Sequence, residues 1–360
     1  MHVGLVLCGN PDTVSGGFLY DRMVRDFLVA SGDTVDIISL PKMAYFRSLA
    51  TNCSSFLINR LEQSSPDILL QDELAHPYLF LMNKKITKKF GLPKVAIIHH
   101  LRSCEHRRPW KNQIFRAIEK KYLDSLDGFI FNSNETRRIV TSLMEKQKPS
   151  VVALPGGDRF TQTITREDIT AKAMKPGPLE IIFLGNVIPR KGLHVLVDAL
   201  GLLSRSSWHL TVAGDLKVSP LYAEGVMKHV NRAGLQEKID FVGSPDDADL
   251  CDLFCRSHLL VVPSFYEGFG IVYLEAMGFG VPVIASRAGG AQEIVTHGKD
   301  GYLLTPGDVQ NLSHYIDRII HNRDLLCTMA LAARERFLLH PSWSDTGLTV
   351  HAFLHKWGGC

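Results

Sequence analysis

The run Pro263-Ser-Phe-Tyr-Glu267-Gly268-Phe269-Gly270-Ile271-Val-Tyr-Leu-Glu275-Ala-Met-Gly278-Phe-Gly-Val-Pro282 follows four apolar residues, 259–262, and precedes another apolar run at 283–285. The flanking runs read as buried strands and the segment 270–278 as a helix, with Glu267 to Gly270 forming the turn between. Glycines there let backbone N–H groups come close to a ligand. A helix N-terminus favours phosphate oxygens. A carboxylate before the helix and another two turns into it can accept hydrogen bonds from sugar hydroxyls on either side of that phosphate. The competing reading is an ordinary strand–turn–helix crossover with solvated glutamates.

Outward from this run, strands and helices alternate. Towards the N-terminus, strands are expected at 181–184, 209–213 and 240–242, with a helix at 193–203; after 283–285 a helix follows near 289–295. An earlier series has strands at 3–7, 34–39, 68–70, 95–98, 128–132 and 151–154, a loop at 9–17 and a helix from about 18 to 30. This alternation predicts parallel sheets covered on both faces, hence an α/β protein. The segment 161–178 is polar, without clear periodicity, and ends in Lys-Pro-Gly-Pro, so it reads as a linker. The expected domains are therefore 1–160 and 179–340, with a final amphipathic helix within 341–360 that can pack back on the first domain. Ligands bind at the carboxyl ends of such strands, which predicts a cleft between two facing domains.

With 360 residues the chain is long enough for two cores. Residues 1–158 carry 21 Lys+Arg against 16 Asp+Glu, and the remainder is slightly acidic. This imbalance suits phosphates or an anionic surface; it is too weak to argue for nucleic acid, and no basic run alternates with aromatics, so no nucleic-acid partner is expected. The seven cysteines are odd in number and scattered, which fits free thiols in a reducing compartment and not a disulfide framework. No stretch approaches a signal peptide or a membrane span, so the expectation is a cytoplasmic protein, working in solution or at the cytoplasmic face of a membrane.

Glu267 and Glu275, seven residues apart in between, resemble the Glu-x7-Glu motif of the retaining GT-B glycosyltransferases of family 4. The likeness extends over nearly the whole chain. It takes in Ser15-Gly16-Gly17, His99-His100, Asn132-Ser133, Pro155-Gly156-Gly157-Asp158, Gly185…Arg190-Lys191-Gly192, Ala213-Gly214-Asp215, Phe241-Val242-Gly243 and Gly289-Gly290-Ala291-Gln292-Glu293. The resemblance implies a GT-B fold of two doubly wound Rossmann-like domains. It implies a hexosyltransferase that takes a sugar from a UDP-sugar or GDP-sugar to a glycan, lipid-linked or small-molecule acceptor, without a metal cofactor. In that reading Glu275 holds the ribose and Glu267 the donor sugar's hydroxyls. Gly268, Phe269, Gly270 and Ile271 line the donor, the last three offering backbone N–H groups. Lys191 neutralises the diphosphate, Gly16 and Gly17 form a flexible loop near it, His99 lies near the reacting sugar, and Val242 meets the base through its backbone. Gly185 and Asn186 begin the phosphate element. The family usually has Arg where Asn186 stands. Arg190 is then the alternative source of a second positive charge, and cations at a helix start otherwise have little structural reason to be there.

Other features have plainer readings. Strand alternation puts only one of His99 and His100 towards a ligand, and either could be a core histidine. Cys104 and His106 lie close in sequence but fit no zinc spacing. Asp247-Ala-Asp249 matches a metal signature of a different glycosyltransferase fold, yet it stands where aspartates cap a helix. Trp110, Ile114, Ile118 and Tyr122 form a fourfold stripe among Arg107, Arg108, Lys111, Arg116, Lys120 and Lys121, with another basic stretch at Lys84, Lys85, Lys88 and Lys89. That pattern describes either a core-packed helix with a solvated face or one resting on anionic lipid. No Gly-x-Gly-x-x-Gly, P-loop or Gly-x-Ser-x-Gly element is present. Two alternatives stay open: a sugar-nucleotide epimerase or hydrolase on the same fold, and a non-catalytic nucleotide-sugar-binding protein.

Overall fold

The computed structural model describes residues 1–10, 15–53, 55–105, 107–204 and 207–357. The chain divides into two compact units, Met1–Gly156 with Pro341–Cys360, and Gly157–His340.

The first unit is a six-stranded parallel sheet. Its strands are β1 (His2–Cys8), β2 (Thr34–Leu40), β3 (Ile68–Asp72), β4 (Lys94–Ile98), β5 (Gly128–Phe131) and β6 (Ser150–Val152). They lie in the order β2-β1-β3-β4-β5-β6. Every residue of β3, β4 and β5 is buried, as a parallel sheet covered on both faces requires. The helix Gly16–Ala30 buries Phe18, Tyr20, Val24 and Leu28. The C-terminal helix Trp343–Leu354, with a Ser342/Asp345 capping box, belongs to this unit. It packs on Gly16–Ala30 so closely that a Cβ on Gly347 would stand 2.1 Å from the Phe27 ring. Thr346 donates to the carbonyl of Leu154 at 2.6 Å.

The second unit has β7 (Leu179–Leu184), β8 (Trp208–Ala213), β9 (Ile239–Gly243), β10 (Leu259–Val262), β11 (Val283–Ser286) and β12 (Gly301–Leu304). All are parallel, in the order β12-β11-β10-β7-β8-β9. Counted within the unit this is the Rossmann order 3-2-1-4-5-6. Both sheets reverse direction of growth once, between β1 and β3 and between β7 and β10, and crevices for ligands form at the carboxyl side of such points.

Three sequence expectations are corrected here. The segment 161–178 is not a structureless linker: it holds the helix Arg166–Met174, started by a Thr165/Asp168 capping box and fixed by buried Ile169 and Ala173. The division between the units falls after Gly156, not at 160. Gly16 and Gly17 are not loop residues, because Ser15 caps the helix and accepts from the Phe18 N–H at 3.3 Å, which makes both glycines its first turn. Residues 11–14 of the expected 9–17 loop, and His106, lie outside the described residues. Strand β12 adds a sixth strand that the sequence reading did not include.

Candidate functional site

In the second unit the loops after β7 and β10 meet at the switch point. After β7 the chain passes Gly185, at φ 140°, and Asn186, makes the single turn Pro189–Lys191, and leaves through Gly192 at φ 72°. A Cβ on Gly192 would stand 2.3 Å from the Pro263 carbonyl oxygen, so the loops touch there through backbone. Phe265 N–H donates to the Arg190 carbonyl at 2.7 Å. These contacts aim Lys191 Nζ at Glu267 Oε2, 2.5 Å away, with both side chains mostly buried. Burial lowers the Lys191 pKa from the ordinary lysine value, and the charge of Glu267 pulls the other way. Arg190 Nη1 donates to the Tyr266 carbonyl at 2.6 Å and lies 3.8 Å from the same Glu267 oxygen. A second cation therefore stands beside Lys191 although Asn186 replaces the expected arginine.

Glu267 is held by its own backbone. Its N–H donates to Ala288 and its carbonyl accepts from Gly290 at 2.9 Å. A Cβ on Gly289, at φ 87°, would fall 1.9 Å from the Glu267 carbonyl oxygen, which explains the glycine pair 289–290. Gly268 and Phe269 continue the turn, and Gly270, at φ 102°, begins the helix Ile271–Gly278, which no side chain caps. Tyr273 N–H turns back to the Gly270 carbonyl at 2.9 Å, and no side chain occupies the helix start ahead of it, the place an anion takes at a helix N-terminus. Glu275 lies on this helix, 2% exposed. Burial raises its pKa, and Arg159 opposes the rise. Arg159 was not singled out from sequence. Its Nε donates to Glu275 Oε1 at 2.5 Å and its Nη1 to Asp247 Oδ1 at 2.6 Å, while its guanidinium sits over the Phe160 ring. Val242 is exposed at the carboxyl end of β9.

Asp247 and Asp249 do begin a helix, Asp247–Arg256, whose cap is Asp246, accepting from Asp249 N–H at 2.9 Å. Asp247 serves Arg159.

In the first unit, His99 follows β4 and is buried. Its Nε2 lies 3.2 Å from Asp21 Oδ1. Gly17 faces the ring: a Cβ there would be 3.4 Å from His99 Cδ2. Asp72, at the end of β3, completes a buried trio whose ligand-type atoms lie within 4.8 Å of one another. Asp21 Oδ2 has no hydrogen-bond partner among the described residues. Glu73 accepts from the backbone N–H groups of His99 and His100, at 2.5 and 2.9 Å, and so fixes the peptide after β4. Burial lowers the His99 pKa, but the Asp21 carboxylate overcomes this and raises it to about 9. Burial, with Asp21 adding to it, pushes the Asp72 carboxyl well above the usual range. Asp21, Asp72 and Glu73 were missed because nothing local marks a charged residue on an otherwise apolar helix face or strand end. His100 pairs instead with Glu105 at 3.3 Å.

The fourfold stripe divides. On the helix Pro109–Asp124 the core face is Phe115, Glu119, Tyr122 and Leu123, whereas Trp110 and Ile114 are exposed. Beyond β2, an apolar cavity of about 420 Å³ is lined by Leu40, Pro41, Phe56, Leu57, Tyr78 and Met82.

Two parallel six-stranded sheets of these orders, the second with glycine-turned loops at its switch point, make an α/β protein whose architecture is that of the GT-B type. Residues 165–336 match the family model of "Glycosyl transferases group 1". A glycogen synthase of Mycobacterium tuberculosis is 28% identical over 286 residues, which is 77% of this chain and 66% of that protein. The chain thus spans just under two thirds of that relative's length. Among solved structures, a sucrose-phosphate synthase from Thermosynechococcus elongatus superposes with a TM-score of 0.84 at 21% identity, covering 99% of this chain and 98% of the other. Anabaena HepE in complex with UDP-glucose gives 0.82 at 20%, covering 99% and 100%. At such identities the likeness is one of fold.

Proposed function

We propose that the chain is a retaining glycosyltransferase of family 4 type that moves a hexose from a UDP-sugar or GDP-sugar to a glycan, lipid-linked or small-molecule acceptor, without a metal. The observation that carries this reading is the Lys191–Glu267 pair at the switch point beside an uncapped helix start, with Glu275 on that same helix. Cation, open N–H groups and carboxylate are the three donor and acceptor types that a nucleoside diphosphate joined to a sugar requires.

In this mechanism Glu275 accepts from the ribose hydroxyls and Glu267 from those of the donor sugar. Lys191, with Arg190 beside it, meets the diphosphate together with the N–H groups of Phe269, Gly270 and Ile271. Gly185, Asn186, Gly268, Gly16 and Gly17 give close backbone approach, and Val242 meets the base. His99, Arg190, Lys191 and Glu267 are the proposed catalytic residues. Glu267 is already bound to a lysine and is a poor nucleophile. Rate therefore comes from holding donor and acceptor together and from stabilising the charge that develops on the leaving diphosphate. The matched group 1 model and the UDP-glucose bound by HepE support the donor class.

Thermal titration with UDP, GDP, ADP and CDP, each with and without EDTA, tests the reading. One diphosphate should raise the melting midpoint, by the same increment in EDTA. Glu275→Gln should weaken that diphosphate about 10–100-fold, because hydrogen bonds to a charged acceptor are lost. No response to any of the four would sink the site. Donor incubated alone must stay intact, since turnover without acceptor would mark an epimerase or hydrolase.

The exposed Trp110 and Ile114, set among Arg108, Lys111 and Arg116, favour a further reading: the first unit rests on anionic lipid at the cytoplasmic face of a membrane. No helix among the described residues is long and apolar enough to cross a bilayer. Co-sedimentation should retain the protein on phosphatidylglycerol vesicles and not on phosphatidylcholine. The double change W110A/I114A should weaken retention about tenfold or more. Equal retention on both lipids, or by both proteins, would reject membrane contact.

A further inference from the structure

We propose that Asp33, His351 and His355 form a zinc-type divalent metal site that clamps the C-terminal helix to the first unit. His351 and His355 are one helical turn apart, at the end of Trp343–Leu354, so their rings share one face. Asp33 is fixed in the turn between Gly16–Ala30 and β2, where its N–H donates to the Leu28 carbonyl at 3.0 Å. Both histidines aim Nε2 at Asp33 Oδ2: His351 at 3.5 Å and His355 at 3.2 Å, with ring centroids 4.1 Å apart. Zinc–nitrogen and zinc–oxygen bonds of about 2.0–2.2 Å in a tetrahedron place neighbouring ligand atoms ~3.3 Å apart. Two of the three edges thus already stand near the spacing of a tetrahedral face, and all three ligand atoms lie within 4.8 Å of one another. Asp33 Oδ1 lies 3.1 Å from His355 Nε2 and also holds the amino group of Met1 at 2.9 Å, which leaves Oδ2 as the oxygen shared by both imidazoles.

The surroundings suit a structural ion that can enter. The Asp33 side chain is buried, while His351 and His355 are 29% and 41% exposed, so an ion reaches the imidazoles from solvent and keeps water as its fourth ligand. On binding, each imidazole gives Nε2 to the metal and carries its proton on Nδ1. Imidazole with carboxylate fits zinc, and also cobalt(II), which reports its geometry by colour.

The test uses the full chain, made without a histidine tag and stripped with EDTA. Cobalt(II) titration should develop the visible absorption of a four-coordinate ion at about one equivalent, zinc should displace it, and zinc should raise the melting midpoint. H351Q/H355Q should lower affinity by more than about tenfold and abolish the zinc-induced rise. His355→Cys, which keeps a ligand, should retain cobalt and add thiolate charge-transfer absorption, whatever the fate of the double variant. A purely six-coordinate cobalt spectrum for the unaltered protein, or equal binding by the double variant, would overturn the proposal. The nucleotide titration above is read as an increment within each buffer, so the two proposals fail independently.

Discussion

Lys191→Met is expected to lower kcat/KM with the donor by about 10²–10³-fold, with most of the loss in kcat. The size follows from what the group is asked to do. Removing one preorganised donor from a developing anion costs that much in other active sites. Here the donor is an ammonium held at a fixed place, 2.5 Å from Glu267 and largely out of water, where its field is weakly screened. Burial lowers its pKa and the charge of Glu267 counteracts this, so the ammonium stands paired with a carboxylate where the proposed function puts the diphosphate. Methionine keeps the length and packing of the side chain. Arg190, 3.8 Å from the same carboxylate oxygen, still compensates Glu267, so the protein should remain folded. Steady-state rates at saturating acceptor, with circular dichroism as the control, check it. A folded variant within about threefold of the parent would remove Lys191 from the mechanism and leave Arg190 as the phosphate cation.

The elements around this pair were legible because they are repetitive in the chemistry they need. Buried parallel strands are short apolar runs, and the turns at Gly185, Gly192, Gly270 and Gly289 need positive φ, so glycine announces them. Legibility failed where the signal was not local. Arg159 reaches Glu275 across 116 residues, and nothing at position 159 names its partner. Asp21 meets His99 across 78 residues. Strand β12 is four residues long and opens with Gly301, whose absent Cβ would stand 2.1 Å from the Val283 carbonyl, so a packing requirement resembled a turn. In 165–174 only two residues are buried, too few for a visible period, although the Thr165/Asp168 box was there to be read.

Asp21→Asn should move the pH dependence of the reaction, which a merely structural aspartate would not do. In the folded protein burial depresses the His99 pKa and Asp21, 3.2 Å away, more than restores it, to about 9 against an ordinary value of 6.5. A folded value above the unfolded one contributes stability that is complete below about 6.5 and lost as pH rises through about 9. The imidazolium follows the same course. If it donates a charge-assisted hydrogen bond during transfer, kcat/KM of the parent should be level near neutrality and fall with an apparent pKa of about 9. Asparagine keeps the shape of Asp21 and removes its charge. Burial is then opposed only by Asp72 and Glu73, so the fall moves to lower pH, and activity at neutral pH drops about 10–100-fold. Lowering the pH should recover part of that loss in Asp21→Asn but not in His99→Asn. In this reading Asp21 is a positioning residue, its Oδ1 3.2 Å from His99 Nε2. Identical profiles for parent and Asp21→Asn would mean that the proton on His99 is irrelevant to transfer, and that the buried trio of Asp21, Asp72 and His99 serves only the packing of helix Gly16–Ala30 on the sheet.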